Sequence, residues 1–324
     1  MTTKTRYFVI VSLLVLFVGL GTGLVAYYVG FPTHAFSSAG GPDELRYLPH
    51  NSSVVAYANV RDLMTSELRQ HVHAAMPMGN TGQREFQEET GINIEQDVDR
   101  VVGCLNPGQD GKTNGEGLAL VRGRFDQFKI ETLVKQHGGT VDDYKGKHFM
   151  SASNGKGEPV GLSFIEPGLV AVGSKDLVQA AIDRASGGDN VTNNEELMNL
   201  VRSMGDGNTW AVGRFDVLRS QAKLPATVDG KLPPINWFSL SGHVNGGIRG
   251  VLRAETSDEE AANNLRDVVR GFMALAKMQS ASKPELQAMM QSLELGGTGK
   301  TVSLSFAVPA AVFDMMAKDK HAGH

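Results

Sequence analysis

Several stretches carry residue types at spacings that could do chemistry. GGTGKT, Gly296 to Thr301, sets glycines beside a lysine and a hydroxyl, as a phosphate cradle does. Such a cradle needs G-x-x-x-x-G-K-[ST] between a strand and a helix, so that backbone N–H groups and a helix N-terminus meet the anion. Its first glycine would fall at 294, which is Glu294, and TVSLSFAV, a β-type run, follows. The stretch therefore reads as a glycine-rich turn between strands. Nine histidines raise the question of metal. His71 and His73 are two apart and point in different directions on a helix, unlike the i, i+4 pair of a zinc helix. His321 and His324 end a polar tail, and His137, His148 and His243 stand alone.

Nucleophilic hydrolysis finds no better support. G-x-S-x-G and H-E-x-x-H are absent, and SASK at 280 to 283 matches S-x-x-K only in letters, with Pro284 directly after it. Asp97 with Asp99, and Asp142 with Asp143, would do acid–base work if a cleft gathered them, but read as solvated loop charges. Cys104, the one cysteine, lies in the apolar VDRVVGCL and reads as a buried, inert thiol, and one cysteine excludes an intramolecular disulfide. No catalytic, cofactor-binding or metal-binding residue is assigned, and no enzymatic activity is expected. A net charge of -4 without a basic run excludes nucleic acid as a partner.

One pattern recurs: VRGRFD at 121 to 126 and AVGRFD at 211 to 216. In each, apolar residues alternate as in a strand, a glycine permits a bend, and a phenylalanine can plug the core. Asp126 and Asp216 stand where a helix N-cap belongs, so the motif reads as a strand-to-helix corner.

The elements that hold these corners repeat one local grammar, a short β-type run, a polar turn and a helix: SVVAYANV then RDLMTSELRQHV, GLALVRGRF then DQFKIETLVKQH, LVAVGS then KDLVQAAIDRA, TWAVGRF then DVLRSQAK, TVSLSFAVP then AAVFDMMAK. In GGIRGVLRAET then SDEEAANNLRDVVRGFMALAKM, Thr256, Ser257 or Asp258 can cap the helix. Between them, VDRVVGCL, KHFMSAS, VGLSFIEP and WFSLSGHV are β-type runs without a helix of their own. Turns such as EPGL and VNGG favour antiparallel pairing. The expected fold is α+β: a duplicated, mostly antiparallel sheet domain with helices on one face, its first half at 45–205 and its second at 206–319, ahead of a polar His-containing tail at 320–324.

The folded part follows an apolar run from Tyr7 to Phe31 without a charged side chain, long enough to cross a bilayer as a helix. A cleaved secretory signal would have a shorter apolar region and a small-x-small site, which FPTHAFSSAGG does not offer. Lys4 and Arg6 precede the run, placing residues 1–6 in the cytoplasm and the rest outside. Residues 32–44, rich in Pro, Gly and Ser, read as a linker. Gly19 and Gly23 share a face of the span, where small residues permit close helix association. The expected location is a bacterial inner membrane, crossed once, with the main domain periplasmic or extracellular.

ELRYLPHNSSVVAYANVRDLMTSELRQ, FQEETGINIEQDVDRVVGCL and LVAVGSKDLVQAAIDRASGG together resemble a pattern in uncharacterised bacterial membrane-anchored or exported proteins with a repeated strand-helix domain. The resemblance covers mainly residues 44 to 190 and implies architecture alone, since that group has no agreed catalytic residues. The expected function is that of a structural, scaffolding or accessory subunit of a membrane-associated complex, held to the lipid bilayer by residues 7–31 and meeting a protein partner or a second copy. The alternatives are a binding module for a lipid, peptide or small ligand in a cleft between the halves, and a hydrolase without a recognised motif.

Overall fold

The computed structural model describes residues 41–69, 81–106, 116–153, 157–205, 207–221, 232–279 and 284–312. The span expected over 7–31, with Gly19 and Gly23, lies outside them, as do the tail at 320–324, His71, His73 and the SASK stretch. Among the described residues no helix is long and apolar enough to cross a membrane. The chain divides into two compact units. One takes in Ser38–Met64 and Gly79–Arg202, the other Thr65–Met78 and Ser203–His324. The boundary expected between 205 and 206 thus falls at 202/203, and Thr65–Arg69 joins the later unit.

In the first unit the strands are β1 (Val54–Ala58), β2 (Val98–Asn106), β3 (Glu116–Gly123), β4 (Thr140–Tyr144), β5 (Lys147–Ser153), β6 (Pro159–Glu166) and β7 (Leu169–Ser174). They lie in the order β1-β2-β3-β7-β6-β5-β4, and each of these pairings is antiparallel. In β3 and β7 consecutive residues are buried, Leu118 to Val121 and Leu169 to Val172. Burial at both parities means that both faces of the central sheet are covered, which corrects the expectation of helices on one face. One face carries a core in which Val60, Leu63, Phe86, Ile94 and Ile130 pack against Val101, Ala119, Val121 and Val172. A helix at Lys175–Ala185 lies against β3, β6 and β7, burying Leu177, Val178, Ala181 and Ile182.

The fold also begins earlier than the linker boundary at 44 allows. Asp43–Tyr47 forms a 3-10 helix in which Glu44, Leu45 and Tyr47 are buried. Two apolar side chains recurring in one turn draw the segment onto the helix Lys175–Ala185, and a glutamate goes with them.

In the second unit the strands are β8 (Thr209–Arg214), β9 (Ile235–Val244), β10 (Gly247–Thr256), β11 (Glu294–Gly296) and β12 (Thr301–Pro309). Their order is β8-β9-β10-β12-β11, again antiparallel throughout. The register aligns Leu240, Leu252, Leu304 and Leu295 across four strands, with Phe238, Ala254 and Val302 in the next row. Alternate positions carry Ser239, Arg253 and Ser303, so opposite the apolar face β9, β10 and β12 present polar side chains, until β8 brings buried Val212 beside Ser239 and buried Trp210 beside Ser241. The helix Glu259–Gln279 lays Ala262, Leu265 and Val269 on the apolar face. Its start is fixed by Asp258, whose Oδ1 accepts from the Ala261 N–H at 2.8 Å, with Glu259 and Glu260 in the first turn.

Candidate functional site

The most developed polar constellation among the described residues surrounds Glu44. Arg100 on β2 and Arg122 on β3 are cross-strand partners, so two guanidiniums stand side by side on one sheet face. Like charges in that position repel unless a carboxylate lies between them. Glu44, its side chain fully buried, supplies it: Oε1 accepts from Arg122 Nε at 2.8 Å and from Arg100 Nε at 3.1 Å, with Arg100 Nη2 at 3.0 Å. Glu166, at the end of β6, extends the network to Arg122 at 3.7 Å and to Arg46 at 2.8 Å. The Tyr47 hydroxyl donates to Glu166, and the Arg46 guanidinium lies 4.9 Å from the Tyr47 ring centroid.

Burial pushes the Glu44 carboxyl up, but the hydrogen bonds from Arg100 and Arg122 more than offset this and hold it below the usual range. Glu166 is also lowered, first by the Tyr47 hydroxyl, while burial and Glu166 raise Tyr47. No proton in this set is poised near neutrality, so the cluster suits clamping a segment rather than acid–base work. Its signal in the sequence was a lone arginine on each of two apolar strands, which requires a counter-charge; the strands do not say that Glu44 provides it.

The strand-to-helix corners differ from each other. At the first, Asp126 caps the helix Gln127–Gln136, accepting from the Lys129 N–H at 3.0 Å. Gly123 approaches the Asp97 carbonyl so closely that a Cβ would stand 2.1 Å from it. At the second, the helix is Phe215–Gln221, so Asp216 stands inside the first turn rather than at the cap expected from the sequence. The arginine two residues before it is used differently at the two corners: Arg124 turns to Asp97 and Asp99, whereas Arg214 binds both Asp216 carboxylate oxygens, at 3.2 and 2.9 Å, and Asp216 also accepts from the Val217 N–H at 2.9 Å. Phe215, Asp216 and Arg219 line a groove of about 620 Å³ with Leu232, Pro233, Pro234 and Ile235.

Of the other candidates, Asp97 and Asp99 meet on one guanidinium: Asp97 accepts from the Asn93 N–H at 2.8 Å and lies 3.9 Å from Arg124, and Asp99 is held by Arg61 and, at 3.7 Å, by Arg124. Asp142 and Asp143, on consecutive positions of β4, accept from Thr140 and from the Gly146 N–H of the following turn. His137 bonds the Leu133 carbonyl at 2.9 Å, and His148 meets Glu131 at 2.7 Å. No group of three metal-ligating side chains occurs among the described residues. The GGTGKT stretch turns between β11 and β12, and its polarity is the reverse of a phosphate cradle. The carbonyls of Gly297, Gly299 and Thr301 face Arg266, at 3.4, 3.1 and 3.0 Å. Cys104 is buried on β2, which pushes its thiol up to about 11.

No known family and no curated protein matches the chain. Among solved structures, the crystal structure of TP0453, a bacterial protein, is similar in fold, with a TM-score of 0.50 at 9% identity, over 86% of this chain and 98% of that one.

Proposed function

We propose that this protein is a single-span envelope protein whose α+β part acts as a scaffolding or accessory subunit of a membrane-associated complex. The observation that carries the reading is how the candidate carboxylates are used. Asp97, Asp99, Asp126, Asp143 and Asp216 each hold a backbone amide or a guanidinium at a corner or turn. Residues spent on holding corners support a role in presenting surfaces. The proposal also takes the two units as one pattern used twice. In each, a strand and a helix precede a hairpin, and the last strand returns beside the hairpin's second strand, β7 on β3 and β12 on β10. The anchor at 7–31, with Gly19 and Gly23 as its association face, belongs to the same proposal, as does the inner-membrane location. The groove beside Asp216 favours one second reading, a binding module for a lipid, peptide or small ligand.

The test is a mild-detergent pull-down of the full chain beside one lacking residues 1–36, with mass spectrometry of each eluate. A partner recovered reproducibly by the full chain supports the scaffold. Recovery of none by either, with binding of a small ligand in native mass spectra, transfers the assignment to the binding module.

A further inference from the structure

The turn between β9 and β10 is Asn245–Gly246, and both residues are exposed. An asparagine before glycine has its side-chain amide open to attack by its own backbone, because glycine sets no Cβ beside the N–H that follows. Around Gly246 a Cβ would meet Glu67 Oε2 at 3.1 Å and nothing else within 4 Å beyond its chain neighbours. Other asparagines of the fold spend their amides on hydrogen bonds: Asn59 on Asp62, Asn93 on the Glu95 N–H, Asn190 on the Thr192 N–H and Asn194 on the His50 carbonyl. Asn245 bonds through its backbone, its N–H to the Gly247 carbonyl at 3.1 Å and its carbonyl to the Leu68 N–H at 2.8 Å. Among the described residues nothing holds its side chain. Leu68 is buried, so the turn that leaves this amide loose also satisfies a backbone donor that water does not reach.

We propose that Asn245 is a modification site at which water converts asparagine to aspartate and isoaspartate, and that the isoaspartate loosens residues 65–69 from the β9–β10 turn. The Gly246 nitrogen loses its proton to hydroxide and attacks Asn245 Cγ. A C–N bond closes a succinimide ring, and the amide nitrogen takes a proton from water and leaves as ammonia. A second water opens the ring at either carbonyl, so that one water is consumed and one ammonia released overall. In isoaspartate the chain runs through the former side chain. The turn then gains a methylene, and the carbonyl that received Leu68 becomes a free carboxylate. In aspartate the carbonyl stays in place, and only a negative charge is added beside the residue that Glu67 approaches. The inference does not depend on the scaffold reading.

The test is incubation of the folded full chain at mildly alkaline pH, followed by peptide mapping with mass spectrometry. Mapping separates position 245 from the other Asn–Gly pairs, Asn114–Gly115 and Asn154–Gly155, which lie outside the described residues. Isoaspartate should accumulate at 245 and be lost in Gly246→Ala, which the backbone accepts because Gly246 is outside the left-handed region. Hydrogen exchange at Leu68 should quicken roughly tenfold in the converted fraction, the worth of one hydrogen bond, while β5 and β6 keep their protection. Asn245→Asp, which adds the charge without moving the carbonyl, should quicken it less. A folded chain that keeps Asn245 intact while the urea-unfolded chain converts it overturns the proposal. So does conversion that leaves exchange at Leu68 unchanged, or an Asn245→Asp effect equal to that of isoaspartate.

Discussion

Two aspartates with the same neighbours in sequence do different work. Asp126 is a true cap, and Asp126→Ala should lower stability by about 0.5–2 kcal/mol in urea unfolding. Asp216→Ala removes a first-turn charge already satisfied by Arg214, and should cost only about 0.3–1 kcal/mol. Equal losses would show that the second corner is capped after all. Glu44 has larger consequences. Removing its charge leaves two guanidiniums facing each other in a largely buried place, and Glu44→Gln should cost about 3–5 kcal/mol. Its pKa and that of Glu166 are lowered in the fold. The folded state then binds fewer protons than the unfolded chain. Their contribution is in place above the ordinary carboxylate value of about 4.3 and is lost as pH falls through the lower folded values. Melting of the wild type between pH 7 and pH 3 should show this loss, and Glu44→Gln should show a shallower one.

Elements divide into those that sequence makes legible and those it does not. The strand-to-helix corners and the cap of Glu259–Gln279 depend on residues within a few positions of each other, so chain order suffices to find them. The antiparallel pairing was legible for the same reason, through turns such as Glu166–Leu169. The clamp was not, because Glu44 meets Arg100 and Arg122 from 56 and 78 residues away, and its place beside a Pro- and Gly-rich run made it look like linker. The helix layers were half legible. Alternation of apolar and polar residues in β10 announces one apolar face, whereas the continuous apolar runs of β3 and β7 mark strands covered on both, a distinction that a single rule for the whole chain erased. Glycines test the packing at this scale. Gly123→Ala pushes a methyl against the Asp97 carbonyl and should destabilise by about 1–3 kcal/mol. Gly271→Ala meets nothing within 4 Å among the described residues outside its own helix backbone and should stabilise by up to about 1 kcal/mol. Denaturant midpoints of the two variants should move in opposite directions.

Over the whole molecule, the division into units does not follow the chain order. Thr65–Arg69 leaves the first unit to join the second, where Leu68 is buried and its N–H donates to the Asn245 carbonyl at 2.8 Å. Leu68→Ala should therefore cost about 2–5 kcal/mol, and hydrogen exchange should report the loss in β9 and β10 before it reaches β5 and β6. Protection lost evenly across both units would count against this assignment. The 3-10 helix at Asp43–Tyr47 has a mechanical consequence as well. Tension applied from the N-terminal side of residue 43 does not arrive first at β1. It meets first the clamp of Glu44 on β2 and β3, with buried Leu45 and Tyr47 and the bonds to Glu166 beside it, loading paired strands side by side where pulling on β1 would unzip one.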